Sequence, residues 1–341
     1  MTSFLEQARC WFLHSGIQEA SGGVARYYRS DLRKNAPIST EITGYAASAF
    51  AYLGQTDYAA RAASYLRDEA WDESANAFPF EPASPHCYFF DTGIIARGLL
   101  AAHRATGDER FRLCAEQAAL SLVFDFMGEG VFHAIIELPE KQPLPYEPRW
   151  ARSPGCYQLK SALAWLEALG DPGARAFESL LAYSLANHES FLTGYDPGAT
   201  MDRLHAYCYF LEALLWVADR GEVKRILRQG IARAASLLRR IAPEFERSDV
   251  CAQLLRVRLI AHHLGAVELN ESEAGDEAAR TAGYQSNSSD PRLRGGFWFG
   301  KRGGETLPFM NPVSTAFSMQ ALALWSEHQS GAWNFNLAEL I

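Results

Sequence analysis

Tyr45-Ala46-Ala47-Ser48-Ala49-Phe50-Ala51-Tyr52-Leu53, Gly54-Gln55-Thr56-Asp57, Tyr58-Ala59-Ala60-Arg61-Ala62-Ala63-Ser64-Tyr65-Leu66 decides the fold. Two alanine-rich stripes of helical period flank four turn residues. Alanine has the highest helix propensity, and apolar residues three and four apart share one helix face. Gly54 suits the left-handed position after a helix, and Thr56 or Asp57 suits the cap before the next. The stretch is a helical hairpin.

The same pattern recurs outward from it. A helix over 94–103, a Thr106-Gly107-Asp108 turn and a return helix over 110–124 form a second hairpin. Residues 157–169, Gly170-Asp171-Pro172-Gly173 and 174–186 form a third; 204–218, Asp219-Arg220-Gly221 and 223–241 a fourth; 250–264 with a second helix around 272–284 a fifth. One helix remains at each end, 4–13 and 314–327. If they pack on each other they make a sixth hairpin. The repeat is roughly 45–55 residues long, a period that marks stacked hairpins.

Long loops rich in aromatic, proline and glycine residues separate the hairpins: 16–40, 71–90, 127–155, 188–203 and 285–312. Short turns within hairpins and long loops between them put all long loops at one end, where function concentrates. The reading is an all-α (α/α)6 toroid of about twelve helices, one domain over 1–341. The competing architecture is an open superhelix with polar terminal caps. Phe4, Leu5, Trp11, Phe12 and Leu13 at one end, and Phe317, Met319, Leu322, Leu324 and Trp325 at the other, are too apolar for caps.

Hydrophobic residues make up 48% and charged residues 21%, the balance of a globular chain. Net charge is −8, and no basic stripe accumulates, which argues against a nucleic-acid partner. The six cysteines lie far apart in apolar patterns, as buried thiols of a reducing compartment do. The N-terminus carries no basic segment before an apolar run, and no stretch approaches the ~20 apolar residues that cross a bilayer. The expected location is cytoplasmic; oligomeric state is not legible.

Gly22-Gly23-Val24-Ala25-Arg26-Tyr27-Tyr28 followed by Thr40-Glu41-Ile42-Thr43-Gly44-Tyr45 resembles a group of bacterial (α/α)6 proteins encoded with polysaccharide-biosynthesis genes. The group carries a Gly-Gly-hydrophobic segment, then an acidic-Thr-Thr-Gly-Tyr helix start; Ile42 replaces the first of its two threonines. Gly295-Gly296-Phe297-Trp298-Phe299 and the run 311–322, from Asn311-Pro312-Val313 to Ala321-Leu322, fit its closing pattern. In architecture the chain is similar to six-hairpin glycosidases, polysaccharide lyases and sugar epimerases. The resemblance implies a glycan context, with an oligosaccharide or polysaccharide as partner.

Candidate catalytic residues emerge from position. Glu41 and Asp91 start successive inner helices, so they face one another across one sector. Either one also reads as a carboxylate favoured by a helix N-terminus. Phe89-Phe90 before Asp91 would desolvate its carboxyl and raise its pKa, as a general acid requires. Two carboxyls flanking a glycosidic bond suffice for hydrolysis. Asp202 opens the fourth inner helix, with His205 on the same face and Tyr207 nearby; a His and a Tyr supply the proton transfers of a lyase or epimerase, or the His is simply a structural partner of a carboxylate.

Tyr45, His86, Tyr88, Tyr146, Arg149, Trp150, Trp298 and Arg302, with Arg152 and Lys301 beside them, are candidate substrate contacts. Aromatic rings stack on sugar faces, and arginine pairs with uronate carboxylates. No phosphate loop or nucleophile elbow is present. Asp249-Val250-Cys251 resembles the zinc ligands of toroidal prenyltransferases, but 311–319 contains no third ligand histidine; neither metal nor cofactor is expected. Three functions compete: a glycan-active hydrolase, lyase or epimerase, a non-catalytic sugar-binding or polysaccharide-assembly protein, and a prenyl or terpenoid enzyme.

Overall fold

The computed structural model describes residues 3–192 and 196–341. Its helices are α1 (Phe4–His14), α2 (Thr40–Tyr52), α3 (Thr56–Tyr65), α4 (Phe89–Thr106), α5 (Glu109–Phe124), α6 (Gln158–Ser161), α7 (Leu163–Ala168), α8 (Asp171–Asn187), α9 (Pro197–Leu214), α10 (Gly221–Ile241), α11 (Ser248–His263), α12 (Glu271–Ala282) and α13 (Pro312–Ser330). Contacts divide the chain into two compact units, one of residues 18–26 and 37–191, the other of 1–17, 27–36 and 192–341.

In the first unit the hairpins are α2/α3, α4/α5 and α6–α7/α8, with α4 packed on α2 and on α6–α7. In the second they are α9/α10, α11/α12 and α1 packed on α13, with α11 between α9 and α13. The terminal helices therefore do meet. Trp11 is fully buried, and its indole nitrogen donates to the Arg292 carbonyl at 2.9 Å.

Sequence separates the two helices of each hairpin. In α10 the buried set is Val223, Ile226, Leu227, Gly230, Ile231, Ala234, Ala235, Leu238 and Ile241, one stripe at three-four spacing with arginines opposite, so one face meets solvent. In α4 every residue from Phe89 to Ala102 is buried, and α11 is buried from Ser248 to Ala261. Helices covered all round must be approached closely, and glycines permit it. A Cβ on Gly98 would stand 2.3 Å from the Gly44 carbonyl oxygen of α2, and one on Gly93 would stand 2.4 Å from the Ser161 Cβ of α6. Gly98→Ala must push two backbones apart, so it is expected to cost about 1–3 kcal/mol, read as a lower denaturant midpoint.

The long loops are not wholly irregular. His86–Tyr88 pairs antiparallel with Ile135–Glu137, which pairs with Gln142–Pro143; Phe245–Arg247 pairs with Gly300–Arg302, and that with Glu305–Thr306; Tyr28–Arg29 lies between Lys34–Asn35 and Phe309–Met310. Strands this short leave no alternation to read, yet they satisfy loop backbone groups. Three run into helix starts: Tyr88 into α4, Arg247 into α11 and Met310 into α13 by way of Asn311.

The fourth inner helix starts earlier than the sequence predicts. Asp196 caps α9, its carboxylate accepting from the Ala199 amide at 2.8 Å, and Pro197 takes the first turn, where a missing N–H costs nothing. Asp202 is therefore well inside α9 and does not open it. All six cysteines are free thiols, five of them buried. Among the described residues no helix is long and apolar enough to cross a membrane.

Candidate active site

In the first unit, residues 22–26 lie across the start of α2. The Val24 amide donates to Thr43 Oγ1 at 2.9 Å, the Ser39 amide to the Val24 carbonyl at 3.1 Å, and the Arg26 amide to the Pro37 carbonyl at 3.0 Å. Gly22 has φ +97°, and a Cβ there would come 2.3 Å from the Arg61 carbonyl oxygen. The Gly-Gly segment and the Thr-Glu-Ile-Thr-Gly helix start are thus one structural element, and together they deliver Arg26 and Glu41 to the same neighbourhood.

Ser39 caps α2, and Glu41 is its second residue. Asp91 is the third residue of α4, 8% exposed. The close approach of Gly44 to Ile94 and Ile95 fixes the level of the two helices. Glu41 lies three residues before that crossing and Asp91 precedes it on α4, so both carboxyls sit in the first turns of the two packed helices. Burial is the largest influence on both carboxyls. It pushes Glu41 up to about 7 against the pull of the Arg26 guanidinium. Asp91 is pushed well above the carboxylate range by burial and then by the Glu41 charge, again against Arg26. The two acids behave as one pair that retains a proton at neutral pH. Glu41 keeps part of its surface open, whereas Asp91 does not.

Arg26 is held in place. Its Nη2 donates to Glu81 Oε1 at 2.9 Å, and its guanidinium lies 5.0 Å over the Phe80 ring. Thr40 Oγ1 donates to the Phe80 carbonyl at 3.4 Å, and the Phe80 and Tyr88 rings are 5.2 Å apart. Phe90, next to Asp91, meets the Trp150 ring at 6.1 Å and the Tyr157 ring at 5.8 Å; its carbonyl accepts from Ser161 Oγ at 2.7 Å. Two carboxyls from helix starts, Arg26 from segment 22–26 and an aromatic wall from loop 71–88, Phe90 and loop 127–155 thus belong to one neighbourhood.

The predicted contact residues of this unit fall in several places. Tyr45 is buried one turn beyond Glu41. His86 and Tyr88 are on the strand that runs into α4, and Tyr88 lies near Arg152, which pairs with Glu147 at 2.5 Å. Trp150 is half-buried against Phe90. Arg149 is exposed beside it, and Tyr146, half exposed, bonds His133 Nδ1 at 2.8 Å.

In the second unit His205 and Tyr207 are not neighbours in space. Residues two apart on a helix point to nearly opposite sides. A Cβ on Gly230 of α10 would meet the Tyr207 hydroxyl at 3.1 Å, which places Tyr207 against the outer helix. The partner of His205 is Tyr209, one turn on: its hydroxyl is 2.9 Å from His205 Nε2, while Nδ1 is 2.7 Å from Gln253 Oε1. Burial, then the Arg247 charge, lowers His205 to about 4, so it is neutral at pH 7. Arg247 forks onto both Asp249 oxygens at 3.0 and 2.7 Å and reaches Asp202 at 2.8 Å. Burial raises the Asp249 carboxyl, but Arg247 and His205 outweigh it and leave it lowered. Asp249, whose Asp-x-Cys setting resembles a zinc site, is thus committed to Arg247. Trp298 is half-buried and bridges Met310 through backbone; the Arg302 guanidinium lies 4.7 Å over the Phe245 ring.

Arg26, Tyr209, Arg247 and Gln253 do not stand out in the sequence. Tyr209 carries a usable signal, lying four residues from His205 on one face. Arg26 stands inside the Gly-Gly motif, but its proximity to both acids depends on how residues 22–26 cross α2.

No protein-family model matches the sequence, and comparison with curated proteins finds no match. Solved structures do match. A cellobiose 2-epimerase from Bacillus thermoamylovorans superposes with a TM-score of 0.70 at 10% identity, covering 95% of this chain and 100% of that one. A sugar epimerase from a ruminal bacterium gives 0.69 at 11%, covering 94% and 99%. An unsaturated glucuronyl hydrolase from a Bacillus species gives 0.65 at 12%, covering 96% and 97%. At such identities the likeness establishes the fold: the chain is an (α/α)6 toroid of the six-hairpin kind.

Proposed function

We propose that this protein is a glycoside hydrolase acting on an oligosaccharide or polysaccharide, with Asp91 as general acid and Glu41 as its partner carboxylate. The carrying observation is the desolvated pair itself, two carboxyls in the first turns of packed helices with Arg26 in range of both. Asp91, the more enclosed, holds the proton. It protonates the glycosidic oxygen as the C–O bond breaks and the electron pair leaves with that oxygen. Glu41, the more open, either takes a proton from the attacking water or attacks the anomeric carbon itself. The anomeric configuration of the first product, read by NMR, decides between those two routes. Phe80, Tyr88 and Trp150 supply rings of the kind that stack on sugars. The fold is also that of sugar-acting enzymes, which supports the class of substrate without fixing it.

Elimination or epimerisation needs a base that removes a proton from carbon. His205, the natural choice, has both ring nitrogens engaged and a pKa of about 4, which supports a structural role for it.

The test is release of reducing sugar from a panel of neutral and acidic oligosaccharides by the wild type, Glu41→Gln, Asp91→Asn and the double variant. Turnover that persists in the double variant overturns the proposal. The active form has Asp91 protonated and Glu41 ionised, so kcat/KM should rise with pH along an acidic limb centred near 7 and fall again where Asp91 ionises. Arg26 favours the ionised form of both acids. Arg26→Gln should therefore move the acidic limb to higher pH, which a pH–rate profile measures.

A further inference from the structure

The end of α3 does not stop as an α-helix. Residues Leu66–Ala70 form a π-helical turn, closed by the Trp71 amide donating to the Leu66 carbonyl at 3.0 Å. Such turns are rare and often mark functional sites, because the inserted residue re-aims the chain beyond it. Here it leads into Trp71, which lines a groove of about 640 Å³ against the side of α5. That volume lies in the range of small-ligand sites. None of its lining residues belongs to the carboxyl site of Glu41 and Asp91.

The groove has a distinct chemistry. Trp71 is half-buried, its ring set edge-on to Phe78 at 4.7 Å, and Leu113 on α5 is 52% exposed. A half-buried indole and an exposed leucine lining one groove give it apolar surface. Around it stand Arg67, Asp68, Glu73, Arg110 and Gln117, donors and acceptors with two charges of each sign. The two arginines are already matched, Arg67 by Asp68 and Arg110 by Asp108 at 2.6 Å, so a phosphate or carboxylate would find no uncompensated positive charge. Glu73 and Gln117 are exposed. Arg67 Nε is hidden from solvent and has no hydrogen-bond partner, a donor whose desolvation is left unanswered.

We infer that this groove is a second saccharide-binding site, for a neutral sugar unit of a longer chain. A pyranose has a C–H face and a rim of hydroxyls, each both donor and acceptor. The face fits Trp71 and Leu113, and the rim fits a mixed, charge-balanced border of Arg67, Asp68, Glu73, Arg110 and Gln117. A site of this kind holds a polymer near the enzyme without taking part in bond cleavage. It raises the local concentration of chain ends or segments, a gain that a short soluble substrate does not share.

The test uses the full chain carrying Glu41→Gln and Asp91→Asn, so that no probe is consumed. Cellotriose, mannotriose, xylotriose and trigalacturonate are titrated while the indole N–H resonance of Trp71 is followed, assigned by its loss in Trp71→Phe. A shift with at least one neutral trisaccharide is expected. Leu113→Glu, an exposed position that the fold tolerates, should weaken that binding at least tenfold. On the active background Leu113→Glu should lower the rate on polymer while leaving it unchanged on a trisaccharide. If no neutral sugar moves the Trp71 signal, or if trigalacturonate or inorganic phosphate binds there more tightly than any neutral sugar, the inference is overturned. A Trp71 shift in a protein that cleaves nothing would leave the groove standing and remove the hydrolase reading; cleavage with a silent Trp71 would do the reverse.

Discussion

Asp91→Asn is expected to lower kcat/KM on an unactivated glycoside by about a thousandfold, within the range that general acid catalysis supplies and equivalent to ~4 kcal/mol of barrier. The amide keeps the shape of the carboxylic acid and cannot give up a proton to the leaving oxygen. The loss should therefore shrink as the leaving group becomes better able to depart as an anion. A dinitrophenyl glycoside needs almost no protonation, and Asp91→Asn should act on it with a kcat/KM near that of the wild type. Glu41→Gln removes the other function, and its loss should persist with both leaving groups. Equal losses for Asp91→Asn on both substrates would remove Asp91 from the acid role.

The same pair makes a stability prediction of opposite sense. Both carboxyls bind protons more tightly in the folded chain than in the unfolded one. Between the ordinary carboxylate value of 4.5 for Glu41 and its folded value of about 7, the folded state holds protons that the unfolded state has released. Linkage then requires stability to fall as pH rises through that window; the share due to Glu41 stays constant above it, while the share due to Asp91 grows until Asp91 itself ionises. Glu41→Gln has no proton to lose. Its melting temperature should exceed that of the wild type by a few degrees at pH 8, and the gain should vanish near pH 4. An active-site substitution that disables turnover and stabilises the fold is the behaviour of a site strained for function.

The second large effect lies in the other unit. Arg256 and Glu212 pair with both side chains at 0% exposure. Arg256 also donates to Gln320 Oε1 at 2.9 Å and to the Ile341 carbonyl at 3.3 Å, and its guanidinium lies 4.1 Å over the Phe317 ring. One cation thereby joins α9, α11, α13 and the last described residue. Arg256→Met takes the guanidinium away from the fully buried Glu212 carboxylate and should cost about 3–5 kcal/mol in chemical denaturation. The double substitution Arg256→Met with Glu212→Leu removes both charges and should recover most of that loss. If it does not, the pair's geometry, rather than the charge of Glu212, holds these helices together.

The residue order itself determined the helical hairpins. Alanine-rich stripes, Gly54 and Gly107 after helices and caps such as Asp108 are local, and the terms that form a helix act over three or four residues. The pairing of α1 with α13 was also legible, because two apolar helices at opposite ends of a chain must find cover. The start of α9 was misplaced because Asp196-Pro197, a cap and a first-turn proline, was read as loop. The Glu41–Asp91 pairing came from counting turns, since each begins an inner helix. Only the tertiary structure decided which side chains share a proton or a charge. Arg26 reaches the acids because residues 22–26 hydrogen-bond across α2, His205 answers to Gln253 and Arg247, and Tyr207 turns to Gly230. Those relations depend on which faces of separate helices meet, and on desolvation that exists only once they have met. No pattern within a dozen residues encodes either.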